Sequence, residues 1–405
     1  MKKLNVKIIL MSLLVTGLLV QSGTVYADFE DIGIGARPIA MGNAFVGLAD
    51  DANSIYYNPA GLGLLTRKEL TSTYGRLFMG LTDGSNISDG FIGYVHPINK
   101  KTGTVGVGWL NLSLRDNTAW ISATEEKSIT RYAENGIYMS YGRDMTDLSG
   151  KYIKKLLKLK VNIPGSLSAG LNMKLMVKSY GIDGYSLESG ADNITDPVFG
   201  TSGERNTKLI TSYDLGLFYR SDNYHTSFGM ALTDINFPET VLAKDIQSPV
   251  TGSAGDFRRL PAGLRVGLAY REPVMNIVLD FKMKAGDFDI HTGIERWFHG
   301  KDMAIRAGFT HGSRALNNIS LGACYKYAER YQFDYVFLYT LSGLKNIYGT
   351  HRLSISMQFG ELTEEREIRK QAEKATEGIN KAKKAKKEKL MRFDYLRDKF
   401  LQRFK

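Results

Sequence analysis

The chain has 405 residues, 43% of them hydrophobic and 23% charged, which excludes a disordered polyelectrolyte. Glycine is abundant (42), aromatics reach 11% and proline is scarce (9), a balance that favours many strands joined by tight turns over a helical bundle. A single cysteine, Cys324, excludes an internal disulfide and any cysteine-rich metal centre.

Lys2, Lys3 and Lys7 precede an apolar run from Ile8 to Val20, and Val25-Tyr26-Ala27 offers small residues for a signal peptidase. The sequence thus predicts a signal peptide over 1–27. An uncleaved anchor is the competing reading, but the run falls short of the ~20 residues a spanning helix needs. No later apolar run is longer, so a mature chain that crosses a membrane does so as a barrel. The positive charge is uneven. Three of the 53 basic residues lie in 1–27 and 15 in 361–405, against nine of the 42 acidic ones in that tail; the body keeps 35 basic and 33 acidic. A near-neutral body predicts no nucleic-acid partner, which would need a basic face.

From about Leu70 to Phe359 the pattern has period two, which no helix sustains. Leu167, Ala169, Leu171, Met173, Leu175 and Val177 alternate with small and polar residues, Ile319, Leu321, Ala323 and Tyr325 do the same, and Tyr331, Phe333, Tyr335, Phe337 and Tyr339 form an aromatic row. A soluble sandwich alternates too. The polar phase decides between them: glycine, serine and opposite charges (Arg265, Asp280, Lys282, Arg306, Asp334) suit a wet or plugged lumen, and the apolar phase suits lipid. Such lumen charges are expected to pair across the bore. In the third run Val105, Val107 and Trp109 are followed by Leu110, Leu112 and Leu114 on the opposite phase, which predicts a bulge.

About fourteen runs can be counted, near 70–79, 91–97, 104–114, 136–145, 167–179, 209–220, 226–236, 260–271, 276–285, 289–298, 303–311, 319–328, 331–341 and 351–359. The predicted fold class is all-β: a closed antiparallel transmembrane β-barrel of about 14 strands with an N-terminal plug (28–69), a barrel over 70–360 and an α-helical tail over 361–405. An even count with long connections after odd strands (115–135, 180–208, 237–259) and short ones after even strands implies outside loops, periplasmic turns and both termini in the periplasm. The connection 148–166 is an exception, with Lys151, Lys154, Lys155, Lys158 and Lys160 interleaved with apolar residues. It reads either as a basic amphipathic segment on a leaflet or partner, or as an elongated turn. In the tail, Ile368, Ala372, Ala375, Ile379, Leu390, Phe393 and Leu396 form a stripe beside Lys383, Lys384, Lys386 and Lys387. This predicts a solvated helix or one that docks on an anionic surface such as peptidoglycan or a periplasmic partner.

Before the first strand lies "GARPIAMGNAFVGLADDANSIYYNPAGL", Gly35 to Leu62. Ala40, Gly42, Ala44, Gly47 and Ala49 allow close backbone packing, Asp50 or Asp51 can cap a short helix through Tyr57, and Asn58 before Pro59 ends it. A bore of fourteen strands is wider than side chains can fill, so an insert is required. The Ala-Asp-Asp and Asn-Pro-Ala-Gly run resembles the FadL/TodX family of outer-membrane transporters of hydrophobic compounds, and especially its PorV/PorQ-like branch. The resemblance extends through the closing "THRLSISMQFG", over roughly 29–360. It implies residence in the bacterial outer membrane among its lipids and passive uptake or binding of small hydrophobic compounds. The alternative it implies is a PorV-like component of a secretion or surface-attachment system. By resemblance Asp50, Asp51, Asn53, Asn58, Pro59, Ala60 and Gly61 bind ligand or gate its route, the competing reading being that they only fold the plug. The chain departs from the family in the 148–166 connection and in the 46 residues after Phe359. No catalytic constellation, metal-ligand spacing or cofactor motif stands out: the six histidines show no paired metal-ligand spacing, and Gly33-x-Gly35 follows no strand.

Overall fold

The computed structural model describes residues 32–81, 85–120, 127–146, 165–183, 206–223, 225–238, 260–313, 317–342 and 347–363, with scattered positions to 389. The expected signal peptide, the lysine-rich connection and the end of the tail lie outside the described residues. Among the described residues no helix is long and apolar enough to cross a membrane.

Fourteen antiparallel strands close into a barrel in which each pairs with its sequence neighbours and the first with the last. They are β1 (Lys68–Met79), β2 (Asn86–Asn99), β3 (Gly103–Trp120), β4 (Lys127–Asp144), β5 (Gly165–Asp183), β6 (Asn206–Ser221) and β7 (Thr226–Thr233), then β8 (Gly263–Glu272), β9 (Met275–Lys284), β10 (Asp287–Phe298), β11 (Met303–Gly312), β12 (Asn317–Tyr327), β13 (Tyr331–Thr340) and β14 (Gly349–Phe359). Closure pairs Lys68 with Phe359 and Tyr74 with Leu353, leaving no free edge.

The period-two pattern has its physical cause here. On the outer face Ile305 is 57% exposed, Leu321 55% and Leu353 61%, while their neighbours Arg306 and Asp334 on the inner face are 3% exposed. Water cannot be the solvent of so continuous an apolar band; hydrocarbon can.

Two expectations are corrected. No bulge occurs at Trp109 and Leu110: β2 and β3 stay in register from Arg115 to Thr104. Leu110 instead turns into the bore because the plug offers it an apolar partner, in one cluster with Phe91, Tyr138, Met176, Ile210 and the plug's Ile55 and Tyr56. The register slips later, between Leu114 and Asn117 against β4. The connection expected over 115–135 is largely strand: β3 runs to Trp120 and β4 begins at Lys127, and β5 likewise extends to Asp183. In sequence these extensions mix polar and apolar residues without sustained alternation, as a strand beyond the lipid can, so periodicity could not reveal them.

The plug comprises a short helix α1 (Ala36–Ala40), a second, α2 (Ser54–Tyr57), and a 3-10 helix over Pro59–Leu64. Phe359 closes one compact unit, and Gly360–Lys405 forms a second. The described tail positions from Thr363 are helical, with Arg369 beside Glu361 and Glu373.

Candidate functional site: the plug and its polar mouth

The plug is keyed into the wall by glycines that face inward on eight strands. Gly142 (β4), Gly170 (β5), Gly216 (β6), Gly229 (β7), Gly267 (β8), Gly293 (β10), Gly308 (β11) and Gly322 (β12) each lie so near the plug that an added Cβ would sit under 3.0 Å from its atoms. Strand register sets them side by side: Gly170 pairs with Gly142 and Gly216, Gly229 with Gly267, and Gly293 with Gly308. The plug answers with its own small residues. Gly42, at φ 66°, passes against the backbone of Thr292 and Phe309, where any side chain would collide.

Wall side chains then satisfy the plug's backbone, which has no ladder of its own. Asp280 on β9 accepts from Phe45 N and Val46 N, both at 2.6 Å, and from Gly47 N at 3.4 Å. Ser354 accepts from Ala36 N (2.8 Å), Ser320 donates to Ala40 O (3.1 Å), Ser227 donates to Gly47 O (2.6 Å) and Asn172 donates to Ile55 O (2.8 Å). Asp280 therefore binds plug backbone, and the Arg265 guanidinium lies 4.9 Å from the centroid of Tyr56. Of the expected cross-bore pairs, Arg306 with Asp334 is present at 2.6 Å.

The seven residues singled out by resemblance separate into two groups. Asn58, Pro59, Ala60 and Gly61 form the anchored side. Asn58 Oδ1 accepts from Ala60 N at 3.1 Å while its Nδ2 donates to Leu217 O at 3.0 Å, and Pro59 and Ala60 press on Gly170. Asp50, Asp51 and Asn53 lie elsewhere, lining a cavity of about 310 Å³ at the short-turn end of the barrel. The expected cap of α2 is displaced: Asn53 occupies the N-cap position without a capping bond, and Asp51 Oδ1 accepts from Asn53 N at 2.8 Å.

Arg37 organises this mouth. Its Nε and Nη2 donate to the two oxygens of Glu295 (2.9 and 3.0 Å), and Nη1 donates to Asp50 (2.6 Å) and Asp51 (2.8 Å). Glu295 also accepts from Arg306 Nε at 2.7 Å, so two arginines from plug and wall share one buried carboxylate. Burial disfavours the charge on Arg37, but Asp50, Glu295 and Asp51 outweigh it and hold its pKa well above the ordinary guanidinium value. Burial likewise pushes Asp50 up, yet Arg37 and Arg271 bring it below its ordinary 3.8. For Asp51 burial prevails, helped by the neighbouring Asp50 charge, and its pKa is raised. Arg37 was missed from sequence; the available signal was one arginine inside an otherwise small and apolar segment. Among the described residues no group of three His, Cys, Asp or Glu side chains is arranged to hold a metal ion.

The fold is similar to the crystal structure of the Ralstonia pickettii toluene transporter TbuX, with 12% identity and a TM-score of 0.55 over 81% of this chain and 99% of that one. It is also similar to the Pseudomonas putida toluene transporter TodX (12%, 0.51, over 80% and 96%) and to the CymD monoaromatic hydrocarbon channel (13%, 0.51, over 82% and 98%). At such identities the likeness is one of fold. No protein-family profile and no curated protein matches the sequence.

Proposed function

We propose that the chain is a bacterial outer-membrane barrel, with both termini in the periplasm, that binds or passively takes up small hydrophobic compounds through its plugged lumen. One observation carries this reading. In a bore lined mainly by serine, glycine and charge, the β2–β6 wall turns Phe91, Leu110, Met176 and Ile210 inward, with Leu112 packed half-buried beside them. Such a strip gains nothing by facing water; the plug covers it, and half-buried Leu112 at its edge is where an apolar molecule would enter between wall and plug. The fold shared with barrels described as toluene transporters and a monoaromatic hydrocarbon channel agrees with it. Asp50, Asp51 and Asn53 would then stand where a ligand leaves, and Asn58, Pro59, Ala60 and Gly61 would hold the fixed side of the gate. The test is binding of the fluorophore N-phenyl-1-naphthylamine to the full chain in detergent. Leu112→Asp, with unchanged heat-modifiable gel mobility, should weaken binding by tenfold or more, ~1.4 kcal/mol. Absence of binding, or equal binding by L112D, would contradict the proposal.

A second reading, a non-transporting PorV-like component of a secretion or surface-attachment system, draws support from the tightness with which eight wall glycines seat the plug. In that role the basic tail would meet a periplasmic partner or peptidoglycan. Co-sedimentation of the full chain, but not of a chain ending at Gly360, with purified peptidoglycan would favour it.

A further inference from the structure

At one corner of the outer face, where β14, β1, β2 and β3 adjoin, the lipid-facing phase turns from apolar to polar. On β1 that phase reads Lys68, Leu70, Ser72, Tyr74 and Arg76, and Arg76 is exposed. At ~3.3 Å per residue and a tilt near ~40°, Arg76 stands roughly 20 Å above Lys68 along the membrane normal, and an apolar band is ~25 Å tall. Its guanidinium therefore lies at the interface away from the short turns, the depth at which a lipid-facing charge is tolerated.

Directly paired residues of an antiparallel ladder share a face. Arg76 thus has His351 of β14 on one side and Ser88 of β2 on the other, with Ser113 of β3 beyond. Ser88 and Ser113 join hydroxyls at 2.9 Å. One step toward the short turns on the same phase come Tyr74 and Leu353, both exposed. One step the other way, Asn86 Oδ1 accepts from Arg76 Nη2 at 2.9 Å, and register sets a second arginine, Arg115 of β3, opposite Asn86. Tyr348, 73% exposed, lays its ring beside Gly80 just past the end of β1.

The charge of Arg76 is not spent within the protein. Asn86 is neutral, and Arg76 makes no ion pair among the described residues. His351 beside it is held by the Tyr335 hydroxyl at 2.7 Å and brings no negative charge. The remaining N–H groups of the guanidinium match the oxygens of a phosphate ester in parallel charge-assisted bonds. Paired hydroxyls and an exposed aromatic ring suit the hydroxyls and the apolar face of a sugar, and the apolar phase below suits acyl chains. We infer that this corner binds a phosphorylated saccharide lipid of the outer leaflet: Arg76 donates to its phosphate, Ser88, Ser113 and Tyr348 meet its sugar, and Tyr74 and Leu353 carry its acyl chains. The inference rests on the proposed outer-membrane placement and not on uptake through the bore.

The experiment is native mass spectrometry of the full chain in dodecyl maltoside, with bis-phosphorylated lipid A as the probe. Retention of one lipid per chain is expected, and Arg76→Gln should weaken it about tenfold or more, the size of one charge-assisted hydrogen bond. Arg76→Lys, which keeps the charge and loses the fork, should fall between. Lys68→Gln, at the opposite end of the same outward phase, should leave retention unchanged. Heat-modifiable mobility checks that each variant is folded. The probe does not pass through the bore, so R76Q that loses lipid A while still binding N-phenyl-1-naphthylamine supports this site by itself, and lipid A retained by a chain that binds no N-phenyl-1-naphthylamine does so too. No retention of lipid A, equal retention by R76Q, or equal weakening by K68Q and R76Q would overturn the inference. Phosphatidylglycerol retained as firmly as lipid A would overturn the assignment to a saccharide lipid.

Discussion

Gly293 and Gly308 face each other across β10 and β11, and both receive the Met41–Gly42 turn of the plug. A methyl group at Gly308 would overlap Gly42 N and the Met41 carbonyl carbon; at Gly293 it would overlap the Met41 carbonyl. The colliding atoms are backbone, so no rotamer change relieves them, and overpacking of this kind costs about 1–3 kcal/mol. Because each 1.4 kcal/mol is a factor of ten, a single alanine should raise the population with a displaced plug by roughly five- to 150-fold. The double substitution should fall short of the sum, since one shift of Met41 and Gly42 relieves both clashes. The assay is conductance in planar bilayers. G308A and G293A are expected to show frequent open events where the parent chain is closed. Gly90→Ala, whose added carbon would meet nothing nearer than 3.7 Å, should behave like the parent. Conductance and thermal stability in G293A and G308A identical to the parent would refute the reasoning, as would equal opening by G90A.

Two predictions concern the mouth. Arg37→Met leaves Glu295, Asp50 and Asp51 without their shared cation, and breaking one partner of a buried pair costs about 3–5 kcal/mol. Urea unfolding in detergent should show that loss, with Arg37→Lys intermediate because one ammonium cannot serve three carboxylates. The aspartates should respond to pH in opposite senses. Asp50 has a folded pKa below 3.8, so it stabilises the fold above that value and this contribution is lost as pH falls through the folded pKa. Asp51 has a raised folded pKa, so the native state binds its proton more tightly than the unfolded chain, and its ionisation weakens the fold as pH rises. At pH 7 Asp50→Asn should therefore lower the melting temperature while Asp51→Asn leaves it unchanged or raises it; melting curves from pH 3 to 8 check both, and the reverse order would contradict the assignment.

The barrel was legible because lipid on one side and a filled bore on the other impose period two wherever a strand lies in the membrane. Leu353, Ile355 and Met357 against Arg352, Ser354 and Ser356 is that constraint written in sequence. Where the constraint lapses, legibility ends: Arg115 to Trp120 extends β3 without alternation, and Leu110 puts an apolar side chain on the inner phase because its partner is the plug, from a distant part of the chain. The candidate site was half legible. The small residues of 40–49 announced close packing, but the wall glycines that receive them lie up to about 280 positions away and fall into one belt only when register is known. Asp50 and Asp51 were singled out by resemblance, whereas Arg37, which binds both, has no local spacing that marks it.

The most direct test of the account is a nitroxide accessibility scan along β12 in lipid, one cysteine at a time, in a Cys324→Ser background except where the native Cys324 itself carries the label. Labels at Leu321, Ala323 and Tyr325 are predicted to be accessible to oxygen dissolved in the bilayer, and labels at Ser320 and Cys324 to be shielded from oxygen by the plug-filled bore. Oxygen access on the Ser320 phase, or no alternation along the strand, would contradict a lipid-embedded barrel sealed by its own N-terminal segment.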